Sequence, residues 1–202
     1  MIPSVSECFR LMDRYRMLEN IRWHSIVVAR VAECLTRSLC SRGHALSPEL
    51  TVAGALLHDI AKTECLNSTD NHARAGRQIC TRHDLHEIAD IVGEHIRLAG
   101  GVNPSGYSEK EIVFYADKRV NHHRVVDLDA RLAYILERYG RDHPARRRAI
   151  LENFEQCRQV ERKLFTLLDY RPRDLAWRLK ASVSGFAELE RVCRRESIES
   201  LG

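Results

Sequence analysis

Apolar positions recur every three or four residues along almost the whole chain, the period of helices that each bury one face. From Ser4 to Leu18 the stripe runs through Val5, Cys8, Phe9, Met12 and Tyr15 or Arg16. A second helix is predicted from Ile21 to about Ser41, with Ile26, Val27, Ala29, Val31, Ala32, Leu35 and Leu39 inward and Gly43 ending it. Ser47-Pro48-Glu49 has the form of a capped start, serine outside and proline in the first turn. The helix it opens, Leu50 to about Ala61, has almost no polar face: Val52, Ala53, Ala55, Leu56, Leu57 and Ile60 surround it. A helix apolar on all sides belongs in the centre of a bundle.

The pattern continues after the polar loop Asn67-Ser68-Thr69-Asp70 with helices from about Asn71 to His83 and from His86 to Ile96. Ala99 to Gly106 is the clearest loop. Ser108 then caps a helix that runs through Ile112, Val113, Tyr115 and Ala116 to Asp117 and beyond. Another begins at Asp127 or Asp129 and ends at Gly140, and a long charged helix spans Pro144 to about Leu168. After Arg171-Pro172 a last helix carries Leu175, Trp177, Leu179, Val183, Phe186 and Leu189. The expected fold is one all-α domain over residues 1–202, with a helical extension over about 141–202; Gly140 to Pro144 is the nearest thing to a boundary.

Composition narrows the function only by exclusion. A net charge of +4 is too small to argue for nucleic acid or a membrane surface, and Arg146-Arg147-Arg148, the one basic run, reads as an exposed helix face. Seven cysteines, an odd number with no C-x-x-C pair, indicate neither a disulfide framework nor a thiolate zinc site; they are expected as small core residues in a reducing cytosol. No signal peptide and no apolar run of about 18 residues is visible, so a cytoplasmic protein is expected.

The chemistry lies in the histidines. His58-Asp59 stands at the end of the all-apolar helix, a costly place for a carboxylate unless a cation compensates it. Imidazole and carboxylate together suit a divalent ion. Two adjacent residues are about 100° apart around a helix, so further ligands must come from other helices. His24, upstream, and Asp117, on a mainly apolar helix, are the candidates.

These residues form a recognisable series. His24, Leu57-His58-Asp59-Ile60-Ala61-Lys62 and Tyr115-Ala116-Asp117-Lys118 resemble the H…HD…D signature of the HD-domain metal-dependent phosphohydrolases. His72-Ala73-Arg74-Ala75-Gly76 looks like the H-x-x-x-G step of HDIG members, and Glu94-His95 falls where those members place another histidine. The resemblance covers roughly Ile21 to Tyr139. It implies an HD-domain helical bundle in which His24, His58, Asp59 and Asp117 bind one metal and Asp59 bridges to a second held by His72 and His95. Iron, manganese, zinc, cobalt, nickel and magnesium are not distinguished. It further implies hydrolysis of a phosphate ester or anhydride in a nucleotide-like small molecule, with no nucleophilic side chain required. HD-GYP phosphodiesterases follow their histidine with a second and carry a GYP segment; here Ile96 follows His95 and no GYP occurs.

Asp59 and Lys62 are the expected catalytic groups, and Lys62, Arg74, Arg97, Lys118 and Arg119 the expected substrate contacts. His83 and His86 fall outside the motif spacing, His122 and His123 read as surface residues with His122 alone in reach of a substrate, and His44 and His143 as turn residues. Trp177 and Phe186 fit a packing stripe or a homodimer surface. The competing readings are a metal-retaining module that senses a nucleotide without turnover, and a nuclease, which the modest charge disfavours.

Overall fold

The structure is a computed structural model that describes residues 1–68 and 70–181. Helix α1, Val5–Arg14, opens with a capping box: the Glu7 amide donates to the Ser4 hydroxyl while the Ser4 amide donates to the Glu7 carboxylate. It stops before the predicted Leu18 because Arg16 turns into the left-handed region at φ 47°. Helix α2, Glu19–Cys40, buries Ile26, Val28, Ala29, Val31, Ala32, Leu35 and Leu39; Val28 takes the inward place that the pattern assigned to Val27, which is half-buried.

Helix α3, Pro48–Leu57, is the central one, with every residue from Thr51 to Leu57 buried against α1 and α2. It ends four residues earlier than its apolar sequence suggested. His58 to Ala61 form a tight turn, in which the Ile60 amide donates to Leu57 O and the Lys62 amide to Asp59 O, before the short α4, Lys62–Cys65. That break lets two successive side chains, His58 and Asp59, both face inward. Helices α5, His72–Arg82, and α6, His86–Glu94, pack tightly on each other, α5 starting at Asn71, whose side chain accepts from the Ala73 and Arg74 amides. Helix α7, Glu109–Lys118, follows Ser108 as its cap and packs on α2, α3 and α6.

Past Arg119 the helix predicted to continue gives way to a two-stranded antiparallel hairpin, β1 (Val120–Asn121) and β2 (Arg124–Val125), with Val120 opposite Val125. Helix α8, Leu128–Ile135, is capped by Asp127 and runs into a π turn, Leu136–Gly140. Helix α9, Pro144–Leu167, buries Phe154, Cys157, Val160 and Leu164 and packs on α7 and α8, so this part of the extension shares the core. A 3-10 turn, Pro172–Asp174, leads to α10, Leu175–Ala181, which buries Leu175 and Leu179 and leaves Trp177 68% exposed. Val183, Phe186 and Leu189 lie outside the described residues. Among the described residues no cysteine is in a disulfide, and no helix is long and apolar enough to cross a membrane.

Two buried ionic groups tie the later elements to α7. Arg119 donates from Nε to Val126 O and from one terminal nitrogen to Pro172 O, and the other terminal nitrogen meets Tyr115 Oη and Glu161. Lys163 on α9 donates to both Glu111 oxygens and to Asn103 O, fastening the 99–106 loop to α7.

The glycine of the H-x-x-x-G step has a packing reason. A Cβ on Gly76 would stand 2.7 Å from Val92 Cγ1 and 3.3 Å from Ile60 Cγ2, so α5 sits against α6 and the 58–61 turn only because that position is bare. Overpacking of this kind outweighs the roughly 1 kcal/mol that alanine gains over glycine in a helix. Gly76→Ala is therefore expected to lower stability by about 1–2 kcal/mol in urea denaturation. A variant as stable as the parent would show that the approach is not tight.

Candidate metal centre

The core positions place six side chains around one point from five elements. His24 comes from the first turns of α2, His58 and Asp59 from the end of α3, His72 from the first turn of α5, His95 from the residue after α6, and Asp117 from the last turn of α7. Three helices, α3, α6 and α7, thus end at this point. Helix C-termini carry partial negative charge, which favours a cation.

Every neighbouring pair of ligand-type atoms is close. His24 Nε2 lies 2.9 Å from Asp117 Oδ1, and His58 Nε2 lies 3.3 Å from Asp59 Oδ2 and 3.7 Å from Asp117 Oδ1. His72 Nε2 and His95 Nε2 lie 3.2 and 3.6 Å from Asp59 Oδ1. Ligands about 2.1 Å from an ion stand roughly 3.0–3.4 Å apart in octahedral or tetrahedral geometry, and the separations here, 2.9 to 3.7 Å, straddle that range. Two triads have all their candidate atoms within 4.8 Å of one another: His24, His58 and Asp59, and Asp59, His72 and His95. Asp59 belongs to both.

The second nitrogens of three rings decide what the first can do. His24 Nδ1 is 3.0 Å from His122 O, His58 Nδ1 2.6 Å from Ala55 O, and His95 Nδ1 2.7 Å from Val92 O. A carbonyl only accepts, so each Nδ1 carries the proton, and each ring in its neutral form turns a bare Nε2 inward. Those bare nitrogens face carboxylate oxygens that also lack protons. His58 Nε2 and Asp59 Oδ1 are in fact buried without a hydrogen-bond partner. Two acceptors on adjacent residues left without a donor in the core fit a cation site, and the backbone contacts are the kind that orient ligating imidazoles.

Charge is nearly balanced around the point. Burial alone would push the Asp59 carboxyl up, but the Lys62 ammonium, whose Nζ donates to Oδ2 at 2.7 Å, and the His58 and His72 rings hold it well below the usual carboxylate range. Burial likewise opposes ionisation of Asp117, and Lys118 and the His24 and His58 rings overcome it. Burial pushes His95 down to about 4 and also lowers His24, against the pull of Asp59 and Asp117 respectively. For His58 burial works the same way, yet Asp59 and Asp117 outweigh it and raise it. The Cys157 thiol, electrostatically within reach of Lys118 and Asp117, is pushed up by burial to about 12, so it is no nucleophile.

Of the expected substrate contacts, Lys62 stands on Asp59 with its side chain 32% exposed. Lys118 is buried: its ammonium pairs with Asp117 Oδ2 at 3.1 Å and donates to the carbonyl of His95, joining α7 to the end of α6. Arg119 is not brought to the site, because its guanidinium is held by Val126, Tyr115, Glu161 and Pro172 on the other side of α7. Arg74 and Arg97 are exposed, and among the described residues neither has a hydrogen bond or ion pair to the six. His83 bonds Tyr15 instead, 3.0 Å from its hydroxyl, and His122 has an exposed ring but supplies the carbonyl that holds His24. The sequence offered little sign of that carbonyl. Val120 and Val125-Val126 flanking the polar Asn121–Arg124 stretch were the only local hint of a hairpin.

The sequence pattern of the HD-domain family matches residues 23–170, more than half of the chain, and takes in α9 as well as all six clustered residues. An uncharacterized protein of Methanocaldococcus jannaschii is 27% identical over 150 residues, covering 68% of this chain and 88% of that protein. No solved structure matches the chain significantly.

The metal-free protein should be acid-sensitive in a defined window. With His95 at about 4 folded and at the ordinary 6.5 unfolded, the unfolded chain binds more protons between these values. Its contribution is complete above pH 6.5, declines as pH falls towards 4 and is exhausted below, a loss of up to about 3 kcal/mol. His58, raised, acts in the opposite sense at the upper end, and the depressed Asp59 and Asp117 carry the loss to lower pH. Urea denaturation of chelator-treated protein from pH 7 to 4 checks this, and stability that rises over the interval would contradict it.

Proposed function

The chain belongs to the HD-domain family, and from that premise we propose that it hydrolyses a phosphate ester or anhydride in a nucleotide-like small molecule, using two divalent ions held by His24, His58, Asp59, His72, His95 and Asp117. The family is one of metal-dependent phosphohydrolases. What carries the two-ion reading is the sharing of Asp59 between the two triads, with one oxygen towards His58 and Lys62 and the other towards His72 and His95.

Ions held by these residues would supply an activated water near neutral pH and would neutralise the phosphoryl oxygens. The chain's own groups do the remainder. Lys62 keeps Asp59 ionised and, being partly exposed at the rim, is placed to meet a phosphate oxygen. Lys118 holds Asp117 in orientation and ties it to the backbone of His95, a positioning role distinct from the substrate contact expected of it. His122, Ala55 and Val92 keep the three buried imidazoles facing inward. Burial of His58, Asp59 and His95 excludes bulk water from the deep side.

Metal content by elemental analysis, with hydrolysis of bis(p-nitrophenyl) phosphate and a nucleotide panel in manganese, iron or cobalt, tests the proposal. Asp59→Ala is expected to lose both ions and all measurable hydrolysis; full activity would overturn the scheme. His72→Ala and His95→Ala should each fall from two ions towards one, and retention of two would remove that histidine from the ligand set. Metal-loaded protein that binds nucleotides yet turns over none of the panel would establish the sensing module instead.

A further inference from the structure

The two lysines of the centre stand on different sides of their carboxylates. Lys118 Nζ pairs with Asp117 Oδ2 at 3.1 Å, while the other oxygen, Oδ1, faces the imidazoles, 2.9 Å from His24 Nε2 and 3.7 Å from His58 Nε2. Lys118 therefore braces Asp117 from behind and leaves the inner oxygen towards the ligand-type nitrogens. Lys62 does the reverse. Its Nζ donates at 2.7 Å to Asp59 Oδ2, the oxygen that faces His58 Nε2 at 3.3 Å in the triad with His24. The ammonium and an ion held by that triad would share one oxygen.

The two side chains also differ in how firmly they are held. That of Lys118 is 5% exposed, donates in addition to His95 O and lies 4.3 Å from the centre of the Phe114 ring. That of Lys62 is 32% exposed, and among the described residues Asp59 is the one hydrogen-bond partner of its ammonium. The backbone beneath it is fixed, because the Lys62 amide donates to Asp59 O and the hydroxyl of the next residue, Thr63, accepts from the Leu18 amide. A flexible four-carbon stem on an anchored backbone lets the ammonium leave Oδ2 without any movement of α4.

Charge gives the ammonium a reason to leave. Asp59 and Asp117 face Lys62 and Lys118, so these four charges already cancel. A divalent ion beside Asp59 Oδ2 sets like charge against Lys62, and where Asp59 is only 1% exposed the repulsion is incompletely screened. The excess positive charge then favours an anion on the side where Lys62, His72 and Asp117 reach solvent.

We infer that Lys62 is an exchangeable counter-cation: its ammonium yields Asp59 Oδ2 to a divalent ion and passes to a phosphoryl oxygen of the substrate. Lysine and ion thus compete for one carboxylate oxygen and then act together on one anion. Resting on the ion-holding role proposed above for the six residues, this gives Lys62 a cost as well as a use, since it opposes metal binding in the protein whose substrate it holds.

Manganese titration of chelator-treated protein by calorimetry at constant ionic strength, then titration of the manganese-saturated protein with inorganic phosphate, tests the exchange in Lys62→Met, Lys62→Gln and Lys62→Arg. Both neutral variants are expected to bind the first manganese at least about tenfold tighter than the parent, because a repulsion between neighbouring cations is lost, and phosphate at least about tenfold weaker. Lys62→Arg, with the charge kept, should stay near the parent in both titrations. Opposite shifts do not come from a loosened fold, which weakens both ligands. Thermal melts check folding, and Lys62→Gln, which keeps a donor for Asp59, carries the comparison if Lys62→Met does not fold. Manganese binding that is unchanged or weaker in the neutral variants, or phosphate binding that does not fall, overturns the exchange and leaves the ion-holding role standing. A parent protein that binds no manganese would overturn that role, and the exchange with it.

Discussion

A carboxylate almost completely buried at the end of an apolar helix is the constraint around which this molecule is arranged. Asp59 is 1% exposed, and an unpaired ion in such a place costs several kcal/mol. Its surroundings answer that cost: the Lys62 ammonium on one oxygen, and the His58, His72 and His95 rings around both. The compensation is incomplete as the side chains stand, because Oδ1 is buried without a hydrogen-bond partner and the neutral His95 ring, 3.6 Å from it, turns an acceptor nitrogen towards it. A divalent cation resolves both deficits at once. The helices that end here add their partial negative charge to the same preference.

Orientation of the rings is the second requirement, and the chain meets it through backbone. His58 and His95 reach the carbonyl three residues earlier on their own helices, which binds the fit of each ring to the geometry of a helix end. His24 sits within a helix, and its carbonyl comes from a hairpin almost a hundred residues away. Glycine at position 76 lets α5 approach closely enough for His72 to reach Asp59. These contacts lie outside the six clustered residues, yet they decide whether their atoms converge.

The deep side of the centre and its rim are built differently. Helices α2, α3, α6 and α7, closely packed, supply the more deeply buried groups, whereas the more exposed Lys62 and His72 stand at the first residues of α4 and α5. Lys118 and Arg119 illustrate how fine the partition is. Adjacent on one helix end, the first braces Asp117 and the backbone of His95, and the second braces the scaffold.

The sequence by itself determined the helical class, most of the helix starts, and the six residues that converge. Each of these has a local cause. Helical periodicity marks a buried face whatever it packs against, Ser4, Ser47, Asn71, Ser108 and Asp127 cap through bonds to their own neighbours, and an HD pair after an apolar run announces a buried charge. Tertiary structure decided the rest, because the deciding partners are distant in the chain. That a hairpin replaces the end of a helix and lends its carbonyl to His24, and that Arg119 serves Glu161 and Pro172, are settled by contacts between remote segments. Local propensity is silent about such contacts, and so the residues of the centre could be read from the sequence while the geometry that makes them a site could not.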